Sequence, residues 1–305
     1  MNNIFLAGKA FIQHAIWLAR RDGPVRFGYK LFHRKLWDEP IRSMITGHVE
    51  VARVISSPQT QALLREYPRL ANIYLGAYLA KSFSKKIRRE ILKEHYTYLS
   101  RLVSTEFFAQ VVRNRSMLWH RTLDEKQYAI TLAFNLRHHS EGDLLLSFEE
   151  NSVPLYLISF TIAPGTMVGS TAAQVMLIAR VQGVPGQFDV IRRVSKLFGG
   201  VPLPHLLVAA AQGASDALNI GVIAAVKHTE QLMTSTDLRV FFNYDAFWQS
   251  FLGSETEKFY LIPVQVSEKP DENIRSRRTR IKRQAKYEIT ASAKSYFVDN
   301  VLRRD

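Results

Sequence analysis

The feature that most narrows the fold of this chain is a change of hydrophobic period near Asp124. Upstream, from Gly23 to about Thr122, the pattern is helical, with Ile87, Ile91, His95 and Leu99 marking one apolar face. Downstream the period becomes two. Tyr128 to Phe134, Leu144 to Phe148 and Pro154 to Ile162 are short β-rich runs separated by Gly142, Asn151 and Pro164-Gly165, the signature of an antiparallel meander. Gln174 to Gln182 is apolar on both faces until Arg180, as a strand buried on two sides must be. Helices are expected from about Gly186 to Phe198, ended by Gly199-Gly200, and from Pro204 to Leu218; Val222 to Val226 then reads as a strand. Strand, helices, strand in that order calls for a parallel crossover added to the meander. A short helix over Asn243 to Phe251, a last strand over Phe259 to Val264 and a solvated basic helix in the tail complete the expectation: an α+β chain with a helical N-terminal region, then a mixed, mainly antiparallel sheet with flanking helices.

Charge divides the 305 residues in the same way. Residues 1–125 hold 21 Lys and Arg against 10 Asp and Glu, residues 126–268 hold 9 against 12, and residues 269–305 hold 11 against 5. Three regions are expected with these bounds: a basic helical region, an α/β domain and a basic helix or tail. Basic flanks around a faintly acidic middle suggest that the flanks meet an anionic surface while the middle holds any small-molecule site. The absence of cysteine excludes disulfides, Cys-ligated zinc, iron–sulfur clusters and thiol nucleophiles, and agrees with a reducing cytosol. No apolar run reaches the 18 residues a spanning helix needs. Met1 to Arg21 instead projects as an amphipathic helix with Asn2, Lys9, Gln13 and Arg20 on its polar stripe, suited either to docking on its own domain or to lying at a bilayer surface. The run Lys81, Lys85, Lys86, Arg88, Arg89 and Lys93 reads as a solvated face, with anionic lipid headgroups as its functional alternative. The expected location is cytoplasmic, peripheral on the inner membrane.

The stretch RVQGVPGQFDVIRRVSK, Arg180 to Lys196, carries the strongest chemical signal. A central strand ends at Gln182, a tight Gly183-Val184-Pro185-Gly186 loop follows, and a helix begins at once. Such a junction aims unsatisfied backbone N–H groups and the positive end of the helix at a pyrophosphate, and glycine lets the phosphate approach. The spacing resembles the acyl-CoA cradle of GNAT-type acyltransferases, although Gly186 falls one position late, Pro185 lacks an N–H and the crossover holds two helices where one is usual. On this resemblance Val181, Gln182, Gly183, Gly186, Gln187 and Arg192 are candidate binders of acyl-CoA or acetyl-CoA. Acyl transfer needs a base for the acceptor and an acid for the leaving thiolate, and the candidates past the parallel strand are His228 and Glu230, with Tyr244 as the acid. The competing reading is a non-enzymatic adaptor whose cleft is filled by side chains such as Phe188.

His33 to Asp38, HRKLWD, has the His-x4-Asp spacing of glycerolipid acyltransferases without a partner motif. His138-His139 is read as an exposed pair on a strand rather than a metal site, and no metal is expected. A pI near 10 fits nucleic acid, but no recognition helix or stacking platform accompanies it, so an anionic membrane surface is the preferred partner.

Six phrases in order, KEHYTYL (Lys93 to Leu99), LYLISFTI (Leu155 to Ile162), VQG with IRRVSKLFGG (Val181 to Gly200), HLLVAAAQGASDALNI (His205 to Ile220), YDAFW (Tyr244 to Trp248) and SRRTRIKRQAKYEI near the end, resemble the VirK/YbjX family of Gram-negative bacterial proteins. The resemblance covers about residues 65–290. It implies a role at the cell envelope, linked to virulence, to placement of surface proteins in the outer membrane and to tolerance of cationic antimicrobial peptides, with an envelope component or a surface protein as the partner.

Overall fold

The computed structural model describes residues 41–232, 243–265, 269–271 and 276–303, with side chains from residue 47 onward. The amphipathic stretch at the N-terminus and the HRKLWD motif lie outside the described residues. Among the described residues, eight strands form one sheet: β1 (Ser116–Leu123), β2 (Lys126–Phe134), β3 (Leu144–Glu150), β4 (Val153–Pro164), β5 (Gln174–Gly183), β6 (Val222–Val226), β7 (Ser254–Glu255) and β8 (Phe259–Pro263). Their order is β1-β2-β3-β4-β5-β6-β8-β7, and every neighbouring pair is antiparallel except β5 with β6. The expected meander, crossover and mixed sheet are all present.

Two strands, β1 and the two-residue β7, depart from the expectation. The helical reading up to about Thr122 is overturned by β1, which pairs with β2 along its whole length. Upstream of it run α1 (Ile41–Ile55), α2 (Gln61–Glu66), α3 (Lys85–Leu102) and α4 (Thr105–Arg113). The crossover from β5 to β6 consists of α5 (Phe188–Leu197) and α6 (Leu203–Ala217); α7 (Tyr244–Gln249) precedes β7, and α8 (Arg277–Tyr296) follows β8.

Two neighbouring residues of β4 reveal how the layers are stacked, because successive side chains on a strand point to opposite faces. Thr161 Oγ1 reaches the same carboxylate, Asp143, as the Tyr96 hydroxyl of α3. Ile162 pairs with Met176, whose sulfur receives a hydrogen bond from Ser215 of α6. Thus α3 covers one face and α6 the other, and the strands between them, such as Val175–Ile178, are excluded from water on both sides. The α3 face is held by a buried polar cluster. Asp143 accepts hydrogen bonds from Tyr78, from Tyr96 at 2.8 Å and from Thr161 at 2.6 Å, while His95 Nδ1 accepts the Ile162 N–H at 3.0 Å. Accepting that bond requires an unprotonated Nδ1, and burial likewise pushes the His95 pKa down.

The basic run of α3 is solvated only in part. Lys81, Lys85 and Lys86 are exposed, whereas Arg89 is buried against Gly47 of α1 and Lys93 bridges Glu90 and Glu50. The reason is that Arg89 and Lys93 sit on the flank of α3 that α1 covers.

Likewise, α8 is exposed along one side but buries Ala285, Ile289, Thr290 and Ala293. It approaches α6 closely at Gly213, where a Cβ would stand 2.2 Å from the Thr290 carbonyl oxygen. Further along, Leu302 bridges to Val103 and Arg303 Nε donates to the Val103 carbonyl at 3.0 Å, which ties the segment after α8 to the α3–α4 junction.

Where α6, α7 and α8 meet, the His205 ring stacks on Phe251 and meets Phe247 edge-on, with Nε2 3.1 Å from Ser250 Oγ. Burial, with the cations Lys286 and Lys282 adding to it, pushes its pKa down to about 4. The unfolded imidazole takes up its proton near pH 6.5 while the folded one does not until about 4, so stability is complete above 6.5 and falls as the pH drops through this window. After discounting for solvent screening the loss is roughly 2 kcal/mol. Denaturant titrations at pH 7.5 and 4.5 are expected to show a loss smaller by that amount in His205→Phe than in the wild type.

Candidate functional site

The site arises from a defect in β5. Ser159 pairs with Arg180 and Phe160 with Ile178, so Ala179 is an extra residue, a β-bulge. The parallel partner β6 pairs with β5 only from Met176 to Ile178 and ends at Val226, whereas β5 runs on to Gly183. Beyond the bulge β5 therefore has, among the described residues, a strand neighbour on one side only. Hydrogen bonds in an antiparallel ladder alternate along the strand, and Val184 donates to Leu155, which turns the Val181 N–H and C=O away from β4 toward the free edge.

A single side chain meets both groups. The Tyr244 hydroxyl accepts from the Val181 N–H at 3.0 Å and donates to the Val181 carbonyl at 2.5 Å. Asn243 fixes the start of α7 by accepting the Ala246 N–H at 3.0 Å, and Asp245 accepts the His228 N–H at 3.2 Å. The His228 and Tyr244 rings lie 6.5 Å apart. Burial pushes the Tyr244 phenol up to about 12, so it is a proton donor at neutral pH.

Arg180 and Gln182 occupy the face of β5 shared with Ser159, since residues two apart on a strand point the same way. Arg180 Nε donates to Gln182 Oε1 at 2.8 Å and lies 3.4 Å from Glu141 Oε2. The side chains of this ion pair are only 9% and 7% exposed, and among the described residues Arg180 Nη1 has no hydrogen-bond partner. Burial raises the Glu141 pKa, with Arg180 opposing the shift. Both charges are close enough to influence Tyr244.

Past the free edge the chain turns through Val184 to Gln187, the Gln187 N–H donating to the Val184 carbonyl at 3.2 Å. Pro185 followed by Gly186 at φ +79° makes this a type II turn. A Cβ on Gly186 would find nothing within 4 Å, so the glycine is there for backbone conformation and its surface is open. Helix α5 then starts with no side-chain cap, which leaves its first-turn N–H groups facing outward, with Asp189 beside them. Arg192 is exposed on α5. At Gly183 a Cβ would sit 3.2 Å from the Tyr156 ring.

The structure thus brings Val181, Tyr244 and His228 together, with Gln182 on the adjoining Arg180–Glu141 pair and Gly183, Gly186 and Gln187 along the turn. Glu230 is turned elsewhere: its carboxylate accepts the Ser82 N–H at 2.9 Å and its carbonyl accepts the Lys81 N–H. Phe188 does not fill the cleft, because it is 50% exposed; the residue standing on the free edge is Tyr244. His138 and His139 are in the turn between β2 and β3, not on a strand, and the His139 ring packs against Tyr67 at 4.7 Å. No cluster of three metal-ligating side chains is found among the described residues. Sequence reasoning missed Glu141 and its pairing with Arg180; the signal lay in the HHSEGD turn, whose acid faces an arginine nearly forty residues away.

A family model described as a protein of unknown function, DUF535, matches residues 41–295. The chain belongs to this family. The DUF535 match spans every element described above except the last residues, and it includes the bulge, the turn and Tyr244. The chain is also 26% identical over 302 residues to the "Uncharacterized protein YbjX" of Escherichia coli (strain K12), covering 93% of this chain and 89% of that protein, in agreement with the VirK/YbjX phrases. No solved structure matches. Among the described residues no helix of this DUF535 protein is long and apolar enough to cross a membrane.

Proposed function

We propose that this protein is an acyl-CoA-dependent acyltransferase that acts on a component of the cell envelope. The observation that carries the reading is the free edge of β5, where the outward N–H and C=O of Val181 are satisfied by one tyrosine hydroxyl instead of a strand. An amide of a pantetheine arm offers the same donor and acceptor, so it can replace that hydroxyl bond for bond. The antiparallel strands followed by a crossover and a single parallel pair support a GNAT-type reading by analogy of fold alone. The residues fit the rest of the cofactor as well. Gly186 leaves open space at the uncapped start of α5, where a diphosphate gains from the backbone N–H groups and the helix dipole. Bound acyl-CoA supplies the activated thioester carbonyl.

The roles of the chain's own groups follow from their placement. Val181 orients the arm, Gly183 lets the Tyr156 ring pack close to the strand end, Gly186 keeps the approach to α5 free of a side chain, and Gln187 sets the turn. Tyr244, protonated at neutral pH, holds the proton that a leaving thiolate requires, and His228 is the base for the acceptor. The envelope acceptor rests on the family resemblance alone.

Gly186→Asp and Gly186→Asn test the reading as a pair, because both residues tolerate positive φ and differ mainly in charge. Calorimetric titration with acetyl-CoA and a long-chain acyl-CoA is expected to give binding in the wild type and in Gly186→Asn, weakened at least about ten-fold in Gly186→Asp by repulsion of the diphosphate. Tyr244→Phe is expected to bind but to transfer about 100-fold more slowly. The occupied edge favours one other reading, an adaptor in which Tyr244 closes the slot permanently. Absence of binding by the wild type, and by Tyr244→Ala with its slot vacated, selects that reading and sinks the transferase.

A further inference from the structure

From the junction of α6, α7 and α8 we infer a docking patch for an anionic bilayer surface, made of Lys282, Arg283 and Lys286 on α8 and Leu252 on the turn after α7. The inference is independent of acyl transfer. Between Arg277 and Lys286 the helix carries six basic residues and no acidic one. Lys282 and Arg283 are exposed and Lys286 is half-buried. At the helical rotation of about 100° per residue, Lys286 falls between Lys282 and Arg283, so the three share one side of α8. That side adjoins α7. His205 touches Phe247 and Phe251 through its ring and Ser250 through Nε2, and it lies within the electrostatic reach of Lys282 and Lys286. The residue next to Phe251 is Leu252, 85% exposed, the most exposed large apolar side chain among those described.

This combination selects the partner. Cations alone suit any polyanion, but an apolar prong beside them gains nothing from a phosphate backbone in water. At a bilayer the same prong enters the headgroup boundary while the lysines and the arginine lie among anionic headgroups. His205 packs against Phe247 and Phe251, the latter next to Leu252 in the chain, and is itself within reach of Lys282 and Lys286, so it links the prong to the cations. Nucleic acid is the alternative that the charge by itself permits, and the apolar residue distinguishes the two.

Flotation of the full-length protein with vesicles of 30% phosphatidylglycerol in phosphatidylethanolamine, against pure phosphatidylcholine, tests the patch. Binding to the anionic vesicles is expected to weaken about ten-fold or more in Lys282→Glu/Arg283→Glu, at about 1 kcal/mol for each cation, and severalfold in Leu252→Ser, with melting temperature unchanged in both. Anionic-vesicle binding that survives both variants overturns the assignment and moves the contact to another part of the chain. Wild-type binding to duplex DNA that Lys282→Glu/Arg283→Glu abolishes and Leu252→Ser leaves intact, together with indifference to vesicles, overturns it in favour of nucleic acid.

Discussion

Replacement of Asp143 by alanine is expected to destabilise the fold by about 3–5 kcal/mol, the range for removing one member of a buried, hydrogen-bonded charged cluster. Asp143 is fully buried and receives the hydroxyls of Tyr78, Tyr96 and Thr161, which come from the turn before α3, from α3 itself and from β4. Without the carboxylate three hydroxyls lose their acceptor where no water reaches. Asn keeps the shape but turns an amide donor toward hydroxyl donors, so Asp143→Asn is expected to fall between the wild type and alanine. Urea unfolding measures both. A midpoint for Asp143→Ala within experimental error of the wild type would refute the view that this cluster fastens α3 to the sheet.

The second large effect is expected at Phe198→Ala, at roughly 3–5 kcal/mol. Phe198 follows α5 and is fully buried, and its ring lies 5.8 Å from Trp119, 5.7 Å from Tyr128 and 5.8 Å from Phe148, each close to edge-on. Deletion leaves a cavity walled by three rings from β1, β2 and β3, too rigid to collapse, and removes edge-to-face pairs worth about 0.5–1.5 kcal/mol each. Phe198→Leu fills most of that volume and is expected to cost about half as much. Equal losses for the two variants would place the energy in the aromatic edges rather than in the cavity.

The core elements were legible in the sequence because their chemistry is local. Gly199 and Gly200 adopt φ of +70° and +75°, as helix-ending glycines do, and the apolar runs of β2 to β6 keep their period over most of their length. The longer of the two strands that went unread, β1, failed for two physical reasons. A register shift between Met117 and Trp119 breaks its alternation, so Leu118 and Trp119 are both buried. Its turn to β2 uses Asp124 and Glu125 at φ of +48° and +60°, a hairpin geometry that glycine or asparagine ordinarily announces. At the candidate site, Tyr244 and Val181 were picked out singly from their positions in the chain. Their mutual hydrogen bonds were not legible, because they depend on how far β6 falls short of β5. The Arg180–Glu141 pair was hidden by the same kind of distance, as it joins a strand to a turn on another hairpin.

The clasp between Leu302–Arg303 and Val103 sets a timetable for biosynthesis. Two hundred residues separate Arg303 from its acceptor, so α3 and α4, made much earlier in translation, wait for the stretch around Arg303 before their junction is sealed. Chains that lack the stretch around Arg303 carry an unsealed α3–α4 junction, open to water and to proteolysis.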